Sequence, residues 1–260
     1  MKGKRSLQEE VMMSSPKFRP RFLLFTLAML AACTHAPHSS ATVADQTAPP
    51  SAALAAPPAP RPSVTIIDHD IFDQQRLAMT RQYCQLHYGT ASERLETPKM
   101  IVVHYTASPT LQKALDFFTP DRNSRDDIRS GGEVNVSAQF LIDKDGTIYR
   151  LAPEDRVCRH TIGFNQVALG IENVAEDKDA LTDAQLEADA ALIADLAARH
   201  PSIRYLIGHY EYQDRSLPHF ALRTELDPSY HPTVKIDPGE RFMTRLRALL
   251  KERYGLTFER

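Results

Sequence analysis

The 260-residue sequence predicts a single α/β domain in which helices flank a mixed central sheet, and three observations predict it. Two short apolar runs, 99–105 (KMIVVHY) and 167–174 (VALGIENV), have the length and β-branching of buried central strands. Lys144-Asp145-Gly146 between 136–143 and 147–151 is a hairpin signal, which adds an antiparallel pair. Helical segments alternate with these strands, the mark of an α/β layer arrangement. In chain order, 109–118 reads as a short helix after Ser108, and the polar stretch 119–133 with Gly131-Gly132 reads as a loop. Thr182 and Gln185 form a capping box for a helix that ends before Pro201, with Leu186, Ile193, Leu196 and Ala197 on one face. Residues 204–208 are a strand, 214–234 an irregular loop, and 238–253 a closing helix.

The first 63 residues read differently. Six basic residues against Glu9 and Glu10 occupy 2–21, and an apolar run from Phe22 to Ala32 follows, too short to span a bilayer. It ends in Leu30-Ala31-Ala32-Cys33, which resembles a bacterial lipobox and implies a signal peptide over 1–32 with Cys33 acylated. The basic run is long for a signal, which makes Met12 or Met13 a candidate start. Thr34 rather than Asp after the cysteine implies outer-membrane sorting. From Thr34 to about Ser63 the chain is mostly Ala, Pro, Ser and Thr, a composition that cannot bury enough surface to fold and is expected to act as a tether. The folded domain is then 64–260. Without the leader the net charge falls from −2 to about −6, which argues against nucleic-acid binding. Two cysteines remain, Cys84 and Cys158, with no CxxC spacing; an exported protein can pair them or bury both as thiols.

Three residues carry the chemistry. His104 closes one apolar run, His209 closes another (YLIGHYEY), and Asp237 sits in KIDPG at the start of the last helix. Each has an ordinary structural role available to it: a hydrogen-bonded core histidine, or an Asp N-cap followed by Pro at N1. As a set, two histidines and a carboxylate suit zinc better than all-oxygen cations and leave one tetrahedral position open, as a catalytic site requires. Glu172 lies in an apolar strand, where a carboxylate is costly without a task or a partner.

The strings HYTA at 104–107, GIEN at 170–173, IGHYEY at 207–212 and KIDPG at 235–239 occur in this order. They resemble the zinc-dependent N-acetylmuramoyl-L-alanine amidases of type 2, a family that also includes phage T7-type lysozymes and peptidoglycan recognition proteins. The resemblance covers about 98–250. It implies His104, His209 and Asp237 as zinc ligands, Glu172 as the carboxylate beside the attacking water, and Lys235 near the scissile carbonyl. It further implies His160 and Asn165 as contacts to sugar and peptide. Two departures stand out. Gln139 occupies a position where many members have histidine. The stretch between His209 and Asp237 is about twice the length expected from compact members. Glu211, Asp214, His219, Asp227 and His231 in that stretch are alternative ligands.

The expectation is therefore a monomeric zinc amidase that acts on peptidoglycan or muropeptides, lipid-anchored in the outer membrane and facing the periplasm. Two rivals remain at this point. One is a non-catalytic peptidoglycan receptor, which the presence of Asp237 and Glu172 disfavours. The other is a zinc peptidase acting within the stem peptide, which lacks the HExxH motif.

Overall fold

The structure, a computed structural model, describes residues 63–260. The expected leader 1–32, the acylated Cys33 and the tether as far as residue 62 lie outside the described residues. Six strands form one sheet: β1 (Ile66–Asp68), β2 (Met100–Tyr105), β3 (Phe140–Ile142), β4 (Ile148–Arg150), β5 (Ala168–Asn173) and β6 (Tyr205–Gly208). Their order is β1-β4-β3-β5-β2-β6. β3 and β4 pair antiparallel through the expected hairpin, where Gly146 takes φ +88°, and every other pair is parallel. This is the predicted mixed sheet. The apolar runs predicted as central strands, β2 and β5, lie side by side at its centre, and almost every residue in them is buried.

Four helices surround the sheet: α1 (Gln74–Tyr88), α2 (Leu111–Phe118), α3 (Asp183–Arg199) and α4 (Glu240–Tyr254). The capping box of α3 is present as predicted, with Gln185 N–H donating to Thr182 Oγ1 and Thr182 N–H to Gln185 Oε1. Leu186, Ile193 and Leu196 of α3 and Phe242, Met243, Leu246 and Leu250 of α4 join the main core. Two stretches expected as loop hold short 3-10 turns, Asp126–Gly131 and Pro218–Leu222.

The start of α4 departs from expectation. Asp237 does not cap it; the N-cap is Gly239 at φ +97°, with no side-chain cap bond. The physical reason is that the Asp237 carboxylate turns the other way, towards two histidines. Cys84 and Cys158 are both free and buried, and burial pushes each thiol up to about 12. Among the described residues no helix is long and apolar enough to cross a membrane.

Candidate metal centre

Sheet register brings the first two residues of the site together. His104 at the end of β2 is the register partner of Glu172 on β5, so both side chains leave the sheet on the same face. β6 pairs with β2 as far as Gly208 opposite Val103, which delivers His209 to the same end. Asp237 arrives on an extended segment whose exposure alternates: Val234 and Ile236 are 89% and 62% exposed, while Thr233, Lys235 and Asp237 turn inwards. The KxD spacing therefore places Lys235 and Asp237 on one face. The Tyr210 N–H, one residue beyond His209, donates to the Asp237 carbonyl at 2.9 Å and ties the segments that carry these two candidate donors.

Three donor atoms converge. His104 Nδ1 and His209 Nδ1 are 3.0 Å apart, and Asp237 Oδ2 lies 3.0 Å from His209 Nδ1 and 3.2 Å from His104 Nδ1. Donors around a tetrahedral zinc with bonds of about 2.0–2.1 Å sit about 3.3 Å from one another, so the triangle has nearly the right edge. The protons point the same way. His160 Nε2 faces the Ala168 carbonyl at 3.5 Å, an acceptor, which assigns its proton there and leaves His160 Nδ1 as an acceptor. His104 Nε2 lies 3.1 Å from that Nδ1, which the Thr161 hydroxyl also approaches at 2.9 Å. With its hydrogen on Nε2, His104 presents a bare Nδ1 lone pair to the carboxylate oxygen, an arrangement that suits a cation between them. Gly170 makes room for this orienting ring: a Cβ there would stand 2.9 Å from His160 ring atoms.

Burial and charge set the titration of the group. Burial and the nearby His104 lower His209 to about 4 against the pull of Asp237, so its ring is neutral and fit to ligate. Burial alone would raise Asp237, but positive charge shared with the His209 and His104 rings outweighs it and holds the carboxyl well below the usual range. Glu172 is pushed up to about 7, chiefly by burial. Its Oε2 is buried without a protein partner, open to whatever occupies the cavity.

The site opens into a cavity of about 290 Å³ lined by the three donors, Glu172, Lys235, His160 and Asn165. Its apolar side is formed by Phe117, Ile128, Val136 and Ile162. Asn165 is fully buried, and its carboxamide is committed to the protein: Oδ1 accepts from His160 N and Thr161 N, and Nδ2 donates to Tyr83 Oη. It shapes the turn that carries His160.

A sequence profile described as N-acetylmuramoyl-L-alanine amidase matches residues 94–240, a span that contains all three donors, Glu172 and Lys235. The chain belongs to that amidase family. Among its relatives, the 1,6-anhydro-N-acetylmuramyl-L-alanine amidase AmpD of Citrobacter freundii is 29% identical over 196 residues, 69% of this chain and 95% of the relative. The protein of the same name from Escherichia coli K12 is 27% identical over 198 residues, covering 70% and 98%. Among solved structures, the N-acetylmuramoyl-L-alanine amidase LysC from Clostridium intestinale URNW is similar at 22% identity, with a TM-score of 0.39, over 60% of this chain and 89% of that one.

As a member of the N-acetylmuramoyl-L-alanine amidase family the chain is a hydrolase, and its alternative ligands have other work. Glu211 is buried and bonded to Gly208 N–H, Arg247 and Arg260. Asp214 and Asp227 cap Ser216 and Ser229 within their own turns. His219 is buried against Phe164, and His231 is exposed. Among the described residues, only His104, His209 and Asp237 converge as a three-donor group. Gln139 lies in the core, where it joins the Arg156 carbonyl to the Gly170 N–H, and it is absent from the cavity lining.

Sequence reasoning missed the clamp that forms the cavity wall. Arg159 is buried and donates to the carbonyls of Ile128, Gly132 and Val134 and to Tyr230 Oη. It thereby joins the 125–134 loop to the long 214–234 stretch. His87 and Glu225 add a second tie, 2.7 Å apart, with His87 Nε2 also 3.0 Å from the Gly131 carbonyl. An arginine in a loop gives no sequence signal for such a role.

Proposed function

We propose that this amidase uses zinc, held by His104, His209 and Asp237, to hydrolyse the amide between the lactyl group of N-acetylmuramic acid and L-alanine of the stem peptide. The observation that carries the reading is the triangle of donor atoms 3.0–3.2 Å apart in a cavity with an unpartnered carboxylate beside it. When bound, zinc supplies Lewis acidity, which polarises the carbonyl and acidifies water. Glu172 accepts the proton of the attacking water and delivers it to the departing L-alanine amine, a double task that suits a carboxyl poised near neutrality. Lys235, on the same face as Asp237, offsets the charge that develops on the carbonyl oxygen. His160 orients His104. The acidic domain, 64–260, works as a monomer on peptidoglycan or muropeptides. It is exported by the 1–32 signal, acylated at Cys33 and held on the 33–63 tether at the outer membrane, facing the periplasm.

Mass spectrometry of purified muropeptides incubated with the full chain, with and without a zinc chelator, tests the activity. Stem peptide that begins at L-alanine, released only when metal is present, is the expected result. Intact muropeptide that binds without cleavage would make the protein a receptor, and a cut within the peptide would make it a peptidase.

A further inference from the structure

On the face of the sheet opposite the donors lies a carboxyl group with no charged neighbour. Asp189 of α3 is fully buried, and among the described residues it forms no ion pair. Its Oδ2 accepts from Asn173 Nδ2 at 3.0 Å. Asn173 ends β5, next to Glu172, and the same Nδ2 donates to the backbone carbonyl of His104 at 3.3 Å. Both amide hydrogens are thus used, which fixes which end of the carboxamide faces which partner. The His104 carbonyl faces β5, where pairing continues through Tyr105 and Asn173, so the Asn173 side chain adds a second tie from β5 to the end of β2 that carries this donor.

Two oxygens remain unsatisfied in this cluster, Asn173 Oδ1 and Asp189 Oδ1, both buried and without a partner. They belong to the two groups that the 3.0 Å bond already joins. An ionised Asp189 would set acceptor against acceptor and leave a buried charge unpaired, each of them costly. A proton on Asp189 Oδ1 relieves both, since it removes the buried charge and supplies a donor for the free oxygen of the partner to which Asp189 is already bonded. Burial pushes this carboxyl up to about 8, and only the Asn173 bond opposes it.

We propose that Asp189 is a neutral carboxylic acid joined to Asn173 by two hydrogen bonds, and that this pair positions the His104 end of β2. Asp189 is then a positioning residue for the metal centre, which it does not touch. The role rests on the reading of His104 as a zinc ligand.

The test compares full-length wild type, Asp189→Asn, and the double variant Asn173→Leu with Asp189→Leu. The infrared band of a protonated carboxyl reports the proton, competition with a chromophoric chelator reports zinc affinity, and a thermal melt reports folding. Wild type should show the band at neutral pH and Asp189→Asn should lack it, while zinc affinity stays within about threefold because an amide can also donate to Asn173 Oδ1. The double variant keeps apolar packing, since removal of both partners costs little, but it loses the bond to the His104 carbonyl. Its zinc affinity should fall about tenfold, the lower end of what outer-shell changes cost. A wild type without a band that Asp189→Asn removes would overturn the neutral acid. A double variant that folds and binds zinc like wild type, or Asp189→Asn that weakens zinc as much as the double change, would overturn the positioning role. If the double variant does not fold, Asn173→Leu alone, which also removes the bond to the His104 carbonyl, takes its place: a folded Asn173→Leu protein that binds zinc like wild type would overturn the positioning role. Failure of zinc to bind every protein, wild type included, would overturn the metal reading itself and is distinguishable because all three share it.

Discussion

At Asp237 one carboxylate oxygen faces two imidazole nitrogens, and no other acid of the described residues reaches that point. Asp237→Ala should therefore abolish both zinc binding and turnover, whereas Glu172→Gln should keep the metal and lower turnover by about 10²–10⁴, the usual worth of a general base. Metal analysis after gel filtration, set beside muropeptide cleavage, separates the two. Retained zinc in Asp237→Ala would return the third ligand to the loop carboxylates. Asp189 gives a residue-level prediction in pH. Its folded value of about 8 lies above the 3.8 of a free aspartate, so folding takes up a proton between these limits. Stability present at low pH is therefore lost as pH rises towards 8, at up to about 1.4 kcal/mol per pH unit. Asp189→Asn should show a flatter profile over that window in denaturant titrations, and equal slopes would count against a raised carboxyl.

Among the elements, those with a regular apolar pattern were legible in the sequence and those with polar buried faces were not. β2, β5 and the β3–β4 hairpin lie where β-branched runs and the Lys144-Asp145-Gly146 turn put them, and α3 begins at its capping box. The helix α1 escaped notice because its inward face carries Arg76, Thr80 and His87 among Met79, Tyr83 and Cys84. Arg76 is buried because it donates to the carbonyls of Phe118, Thr119 and Pro120 at the end of α2, a contact that no local pattern announces. The ligands were legible only as a set, since each also suits an ordinary structural role. The cavity wall was not legible, because the Arg159 clamp joins three distant segments. Arg159→Met should leave the carbonyls of Ile128, Gly132 and Val134 unmet and destabilise the protein by at least about 3 kcal/mol, measured by urea unfolding. Arg159→Lys should not rescue it, because one ammonium cannot reach carbonyls spread around a planar fork. Full rescue by lysine would show that charge alone, not the fork, holds the wall.

For the whole molecule, the proposed link between catalytic domain and lipid anchor is a question of reach and of attachment. The three-donor group sits at one end of the central strands, and the domain that carries it is acidic, so attraction to anionic headgroups would not hold it at a membrane. Attachment would then depend on Cys33. With Cys33 as the proposed anchor, residues 33–63 would extend at most roughly 110 Å, which would bound how far from a bilayer the cavity works. A single acyl chain holds a protein only marginally, whereas several chains on one cysteine make the anchor stable. In a bacterial host that processes lipoproteins, Cys33→Ser should abolish labelling by radioactive palmitate and move the protein from the membrane fraction to the soluble fraction. The muropeptide activity of the purified variant should be unchanged, because the three donors, Glu172 and Lys235 all lie within 64–260. Membrane recovery of Cys33→Ser equal to wild type would sink the lipid anchor and direct attention to a surface of the folded domain, where Val234 and Ile236 stand exposed on either side of Lys235.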